Sequence, residues 1–364
     1  MRRSGEISER RRKRGKLAGL PSLVPLFALV LGLAGAARAA AAALDAVRIG
    51  IVRSPAAAVM LIAAEQGYFR DAGLEARIEF LPSEASIAEA VATRKLDIGA
   101  ATLTGSFFKY AYRHGLKLIA PETADHTGFP VDALLISRTA RDAGFRGVRD
   151  LPGRRIAGLQ PDSASRYGLA KIGERFHVDL RDTRMVWSGT AARALEALQR
   201  GTVDAVILPY RDATRAANKG EALLRLSDFA VWEETAVFTS GDTIRTQHRL
   251  LERFMEAYQR GTAEYAANFL ESDDGGDQIP GPRYSRYMEL LARETHIEPA
   301  MLAADRRYVD RRGRLDAEEL ARQVKFWQQE GWLPRGATAS DLMDVSFSDG
   351  ASSPTPASGA PSRH

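Results

Sequence analysis

The chain has 364 residues, 45% of them hydrophobic and 27% charged, a globular composition long enough for two lobes that each bury a core. Its formal net charge of +5 is local: residues 1–39 hold nine basic side chains against two acids, and without them the charge falls to −2, which removes the electrostatic case for a nucleic-acid partner. The absence of cysteine excludes disulfides, thiolate metal sites, a cysteine nucleophile and lipid attachment at a processing site.

The first segment has three parts. Basic residues run to Lys16, an apolar stretch covers 17–36, and Ala37-Arg38-Ala39 supplies a small-x-small cleavage site. This predicts a signal peptide over 1–39, cut near Ala39. The apolar stretch is about long enough to span a bilayer, so an uncleaved anchor is the alternative, which Pro21 and Pro25 disfavour. Export without cysteine or lipidation places the expected protein in a Gram-negative periplasm.

Beyond the leader, Val47, Ile49 and Ile51 alternate with Arg48 and Gly50, predicting a strand over 47–52. Ser54-Pro55 reads as an N-cap and first-turn proline for a helix carrying Val59, Ile62, Gln66 and Phe69 on one stripe. A strand over 75–81, a helix capped by Ser83 and a short buried strand over 96–101 follow. Leu116 to Ala120 reads as a further strand. Strands alternating with helices predict β-α-β units and a largely parallel sheet.

The order then repeats. Strands are expected over 155–159, 185–187 and 203–208, with helices over 163–176 and 191–200. Glu89-Ala90 stands ahead of Asp97 as Glu196-Ala197 stands ahead of Asp204, a faint internal echo. Helical spacing continues over 249–270, 282–295 and 316–330, and from about Asp349 the chain turns rich in Ser, Pro, Ala and Gly, predicting a disordered tail over 349–364.

Four stretches carry a resemblance. They are Ala63-Ala64-Glu65-Gln66-Gly67-Tyr68-Phe69 with Gly73-Leu74; Lys95-Leu96-Asp97-Ile98-Gly99; Asp150-Leu151-Pro152-Gly153-Arg154-Arg155-Ile156-Ala157; and Gly201-Thr202-Val203-Asp204-Ala205. In this order and spacing the chain resembles the periplasmic substrate-binding proteins of ABC importers that take sulfonates, taurine, nitrate and thiamine-precursor pyrimidines. The resemblance implies a type II periplasmic binding protein fold: two α/β lobes joined by a two-crossing hinge that closes on ligand. The crossings are expected near 134–137 and 236–239. One lobe then comprises 40–136 with 236–348, and the other 137–235. The implied partners are a small, anionic organic solute and a membrane permease, with the protein itself a monomer.

Ligands of open α/β sheets bind beyond the carboxyl ends of the strands, where helix N-termini offer free N–H groups. That rule selects Arg53 and Ser54 after the first strand, Thr102 and Thr104 after the third, and His126 further on. In the second lobe it selects Asp162, Ser163 and Ser165, Ser188, and Tyr210. Arg53 suits a sulfonate or carboxylate, whereas the hydroxyls serve equally as helix caps. Relatives often carry a glycine-serine turn where this chain has Gln160-Pro161-Asp162-Ser163-Ala164-Ser165. Asp162 repels an anion and suits a helix cap or a ligand amine. Trp187 reads as a core residue or the wall of a pocket.

The histidines at 114, 126, 177, 248, 296 and 364 lack zinc-ligand spacing, and neither a phosphate-binding glycine loop nor a Gly-x-Ser-x-Gly turn occurs. No catalytic group, metal or cofactor is therefore expected. Two alternatives remain. One is an enzyme on the same fold acting on a sulfinate or pyrimidine precursor, although such relatives rely on cysteine or on a histidine and cysteine-rich cluster. The other is a ligand sensor for a membrane receptor.

Overall fold

The computed structural model describes residues 43–180, 182–217, 222–273 and 278–347. The leader expected at 1–39 and the tail expected at 349–364 lie outside them. Among the described residues, no helix is long and apolar enough to cross a membrane.

The first strand, β1 (Asp45–Ile51), buries Val47, Ile49 and Ile51 on one face. Its other face is also covered: a Cβ on Gly50 would lie 2.4 Å from Leu96 and 3.2 Å from Ile87. Gly99 on β3 (Ile98–Thr102) has the same neighbour, with Ile87 and Phe238 both 2.6 Å from the built position. The glycines let a helix lie directly on the strands, which is why β1 alternates less cleanly than a half-exposed strand. Further strands are β2 (Leu74–Phe80), β4 (Leu116–Asp125), β5 (Asp132–Ile136), β6 (Arg155–Gly158), β7 (Arg184–Trp187), β8 (Ala205–Pro209), β9 (Ala222–Arg225) and β10 (Trp232–Ser240).

The longer helices are α1 (Ala58–Glu65), α2 (Glu84–Ala92), α3 (Gly105–His114), α4 (Ala164–Phe176), α5 (Ala191–Gln199), α6 (Tyr210–Ala217), α7 (His248–Phe269), α8 (Tyr284–Thr295) and α9 (Ala317–Gln329). Ser83 caps α2 by accepting the Ser86 N–H at 3.2 Å, as its position ahead of the apolar stripe predicts. Ser54 precedes a short 3₁₀ turn at Pro55–Ala57 and makes no side-chain cap.

Two five-stranded sheets result, ordered β2-β1-β3-β10-β4 and β7-β6-β8-β5-β9. Their wiring matches strand for strand. In each, a central strand pairs in parallel with two neighbours, and a fourth strand runs antiparallel between the third and the fifth. The predicted parallel sheets are therefore mixed.

The passages between sheets fall earlier than the sequence suggested. Leu134 and its neighbours were read as a crossing but form the middle of β5, with Leu134 opposite Ile207 and Leu224 in the second sheet. Ala236 was likewise read as a crossing and instead pairs with Ala101 in the first sheet. The chain changes sheets within 126–131, and again between β9 and β10. A short apolar run gives no clue to its partner, so the local pattern could not separate an antiparallel strand from a connector.

One apolar core runs through both lobes, joining Ile156, Ile172 and Tyr167 to Phe108, Trp232 and Trp327. Helix α9 makes the link: Phe326 packs edge-on to Tyr167 of α4 with ring centres 5.4 Å apart, and Lys171 of α4 pairs with Glu319. A second core fills the far face of the first sheet, under α1, α7 and α8.

Candidate ligand cleft

The carboxyl ends of β1, β3 and β8 meet the starting ends of the antiparallel β5 and β10 at one edge. Between them lies a cavity of about 310 Å³ lined from both lobes. Its position follows from the topology, since it lies beyond the carboxyl ends of parallel strands from both sheets.

Arg53, Ser54 and Thr102 line this cavity, as the sequence expected. Arg53 is not free there. Its guanidinium lies 3.9 Å from the centre of the Phe80 ring and donates to the Glu294 carbonyl. Thr102 donates both its N–H (3.0 Å) and its hydroxyl (2.9 Å) to Glu84 at the start of α2.

The other expected residues stand outside the lining. Thr104 caps α3 by accepting the Phe107 N–H at 3.1 Å. His126 stacks on Tyr308 at 3.8 Å between ring centres. Asp162 reaches across to the first lobe, where its carbonyl accepts the Gly105 N–H at 2.9 Å and its carboxylate the Ser106 N–H at 3.3 Å. The opening turn of α3, an expected place for an anion, thus already carries the chain's own carboxylate. Ser163 and Ser165 bond each other at 3.0 Å at the start of α4. Ser188 donates its N–H to Gly158, and Tyr210 donates its own to Val131. Trp187 is 36% exposed on an edge strand, with the Arg166 guanidinium 5.5 Å from its ring centre.

The sequence reading missed most of the cavity's charge. Glu84, Asp132, Glu234 and Asp305 line it, together with Arg211 and Arg307. Arg307 pairs with Asp305 at 2.7 Å, and Arg211 lies 3.8 Å from both Asp305 and Asp212. Behind them, Asp125 ends β4 and accepts the N–H groups of Val131 (3.1 Å) and Asp132 (3.2 Å), holding the first passage between the sheets. Burial holds Glu84 and Glu234 above the usual carboxylate range. Burial, then the nearby Glu234 and Asp125, raises Asp132 well above it. Burial also pushes Glu122 and Asp125 up to about 8. One signal was available: carboxylates at 122, 125, 132 and 234 interrupt apolar strand sequence, where a charge is costly unless it has work to do.

A family model described as NMT1/THI5 like matches residues 54–269. No curated protein matches the chain. Among solved structures, the periplasmic aliphatic sulphonate-binding protein of Escherichia coli superposes with a TM-score of 0.62 at 16% identity, covering 88% of this chain and 96% of that one. The alkanesulfonate-binding protein of Xanthomonas axonopodis pv. citri, bound to MOPS, gives 0.57 at 18% identity over 83% and 99%. The periplasmic nitrate-binding protein of Synechocystis PCC 6803 gives 0.53 at 10% over 84% and 87%. At these identities the likeness is one of fold, and the two lobes with paired mixed sheets are those of the periplasmic binding proteins.

Proposed function

The chain belongs to the NMT1/THI5-like family, and on that premise we propose that it is the periplasmic solute-binding component of an ABC importer. It holds one small solute between its lobes and presents it to a membrane permease. The observation that carries this reading is the cavity lined from both lobes at the facing strand ends. A solute there touches both halves and so favours the closed arrangement by its differential contacts. Capture and release of a solute suits a wall built of acids, arginines and threonines from both lobes.

The sequence pointed to an anionic solute of the sulfonate, taurine or nitrate kind. Arg53 and Arg307 speak for it, while Asp162 on α3 and the acids of the wall speak against it.

The test is to express the whole chain with its leader in a Gram-negative host and recover it by osmotic shock. Expected are a mature protein beginning near residue 40 and about one equivalent of small molecule released on denaturation, chemically unchanged when rebound and released again. Retention of the leader with membrane association, or a solute altered by the protein, overturns the reading.

A further inference from the structure

We propose that the solute is a small organic cation whose protonated amine or amidine groups pair with acids of the cleft wall, Asp132 of the second lobe and Glu84 or Glu234 of the first. This rests on the reading of the cleft as the solute site and names the class of solute.

The argument is one of unmatched charge. The arginines of the cavity wall have partners of their own: Arg53 meets Phe80 and the Glu294 carbonyl, and Arg211 lies between Asp305 and Asp212. Arg307 pairs with Asp305, while its buried Nε stays without an acceptor and its charge reaches Asp132 and Glu234. Asp305 is the acid that Arg307 and Arg211 share, whereas Arg53 is held by a ring face and a carbonyl. Among the described residues no ion pair reaches Glu84, Asp132 or Glu234, although all three line the same cavity. Among the described residues Glu84 accepts from Thr102, through its N–H and its hydroxyl. Glu234 is only 7% exposed, and among the described residues its side chain takes one donor, the Trp232 indole N–H at 2.9 Å. The Asp132 carboxylate accepts no hydrogen bond among the described residues; what acts on it is burial and neighbouring charge.

A buried carboxylate without a partner either takes a proton or awaits a cation. An ammonium or amidinium group supplies both the charge and several N–H donors at once. A metal ion does not fit, because no group of three or more potential ligands comes together among the described residues. The cavity, about 310 Å³, stands at the small end of ligand sites, which suits a small amine.

The opposite outcome has its own signature. If the acids stay protonated and donate to an oxyanion, anion binding tightens on acidification, whereas cation binding tightens as pH rises and the acids release their protons. The test is calorimetric titration of the full chain with putrescine, agmatine and benzamidine, and in parallel with ethanesulfonate and nitrate, at pH 6 and pH 8. The expected result is one site for at least one cation, at least tenfold tighter at pH 8, and weakened at least tenfold by Asp132→Asn or Glu84→Gln. The unliganded melting temperature of these isosteric variants should not fall, which separates lost binding from lost folding. Binding of ethanesulfonate or nitrate in place of the cations overturns this inference and leaves the binding-protein reading standing. Binding by neither set also overturns it, and the retained-solute measurement then decides the broader reading by itself.

Discussion

Arg48 and Asp97 clamp the end of the first sheet opposite the cleft. The Asp97 carboxylate accepts the Arg48 backbone N–H at 2.9 Å and its guanidinium at 3.0 and 2.7 Å, while the Asp97 N–H donates back to the Arg48 carbonyl at 2.9 Å. The same arrangement recurs in the second sheet between Arg155 and Asp204, at 2.8 Å for both the backbone and the guanidinium contact. Both pairs are separated by 49 residues. In each, the side chain extends the pairing of two parallel strands by one residue, so the echo read from the sequence is a repeated device for fixing register.

Loss of the clamp is expected to cost stability in proportion to its burial. The Asp97 side chain is 6% exposed and that of Asp204 19%. Asp97→Asn should therefore destabilise by about 1.5–3 kcal/mol, the range for hydrogen bonds to charged groups, and Asp204→Asn by less. Urea unfolding of both variants checks the order.

Gly168 marks how closely the lobes approach. A Cβ there would stand 2.5 Å from the ring of Trp232, which is 1% exposed and tied through its N–H to Glu234. Since the ring cannot swing away without losing that bond, Gly168→Ala should destabilise by about 1–3 kcal/mol. It should also shift tryptophan emission. An unchanged denaturation midpoint would show that the ring has room to move.

The buried acids give stability a definite slope with pH. Burial pushes Glu122, Asp125 and Glu233 up to about 8, whereas the unfolded chain titrates these groups near 4. Between about pH 4 and 8 the folded protein holds protons that the unfolded chain has released, so stability falls as pH rises through that window. The unliganded melting temperature should be higher at pH 5 than at pH 8. Glu122→Gln should raise it at pH 8 more than at pH 5, flattening the profile.

The contact of α9 with α4 is expected to govern how readily the lobes part. Glu319, 4% exposed, accepts from both Lys171 and Arg322. Lys171→Ala leaves that buried carboxylate short of a partner, whereas Glu319→Gln removes the charge itself. The lysine variant should be the less stable of the two and show the larger radius of gyration in solution scattering. Equal radii for both variants and the parent would mean that the apolar packing of Phe326 on Tyr167 holds the lobes without the ion pair.

The parts of the fold legible in the sequence are those with local causes. Alternation in β1, the Ser83 cap of α2 and the stripes of α7, α8 and α9 came through with ends shifted by a residue or two, because caps and periodicity act within a few residues. Strands β5 and β10 did not, being short apolar runs whose meaning depends on a partner far along the chain. The cleft shows the same division. Arg53, Ser54 and Thr102 follow strands directly and were found by that rule, whereas Glu84, Asp132, Glu234 and Asp305 belong to four separate segments and converge only when both sheets form.

The sequence by itself determined two β-α-β units of like wiring, the Glu-Ala…Asp echo that recurs in them, and which strand ends could face a ligand. Tertiary structure decided which sheet each antiparallel strand joined, that Asp162 would occupy the start of α3, and that three acids would line one cavity with no ion pair to them among the described residues. The reason is physical. Turn and helix preferences are fixed by neighbouring atoms, whereas the charge of a cleft is a sum over residues that only long-range strand pairing brings together.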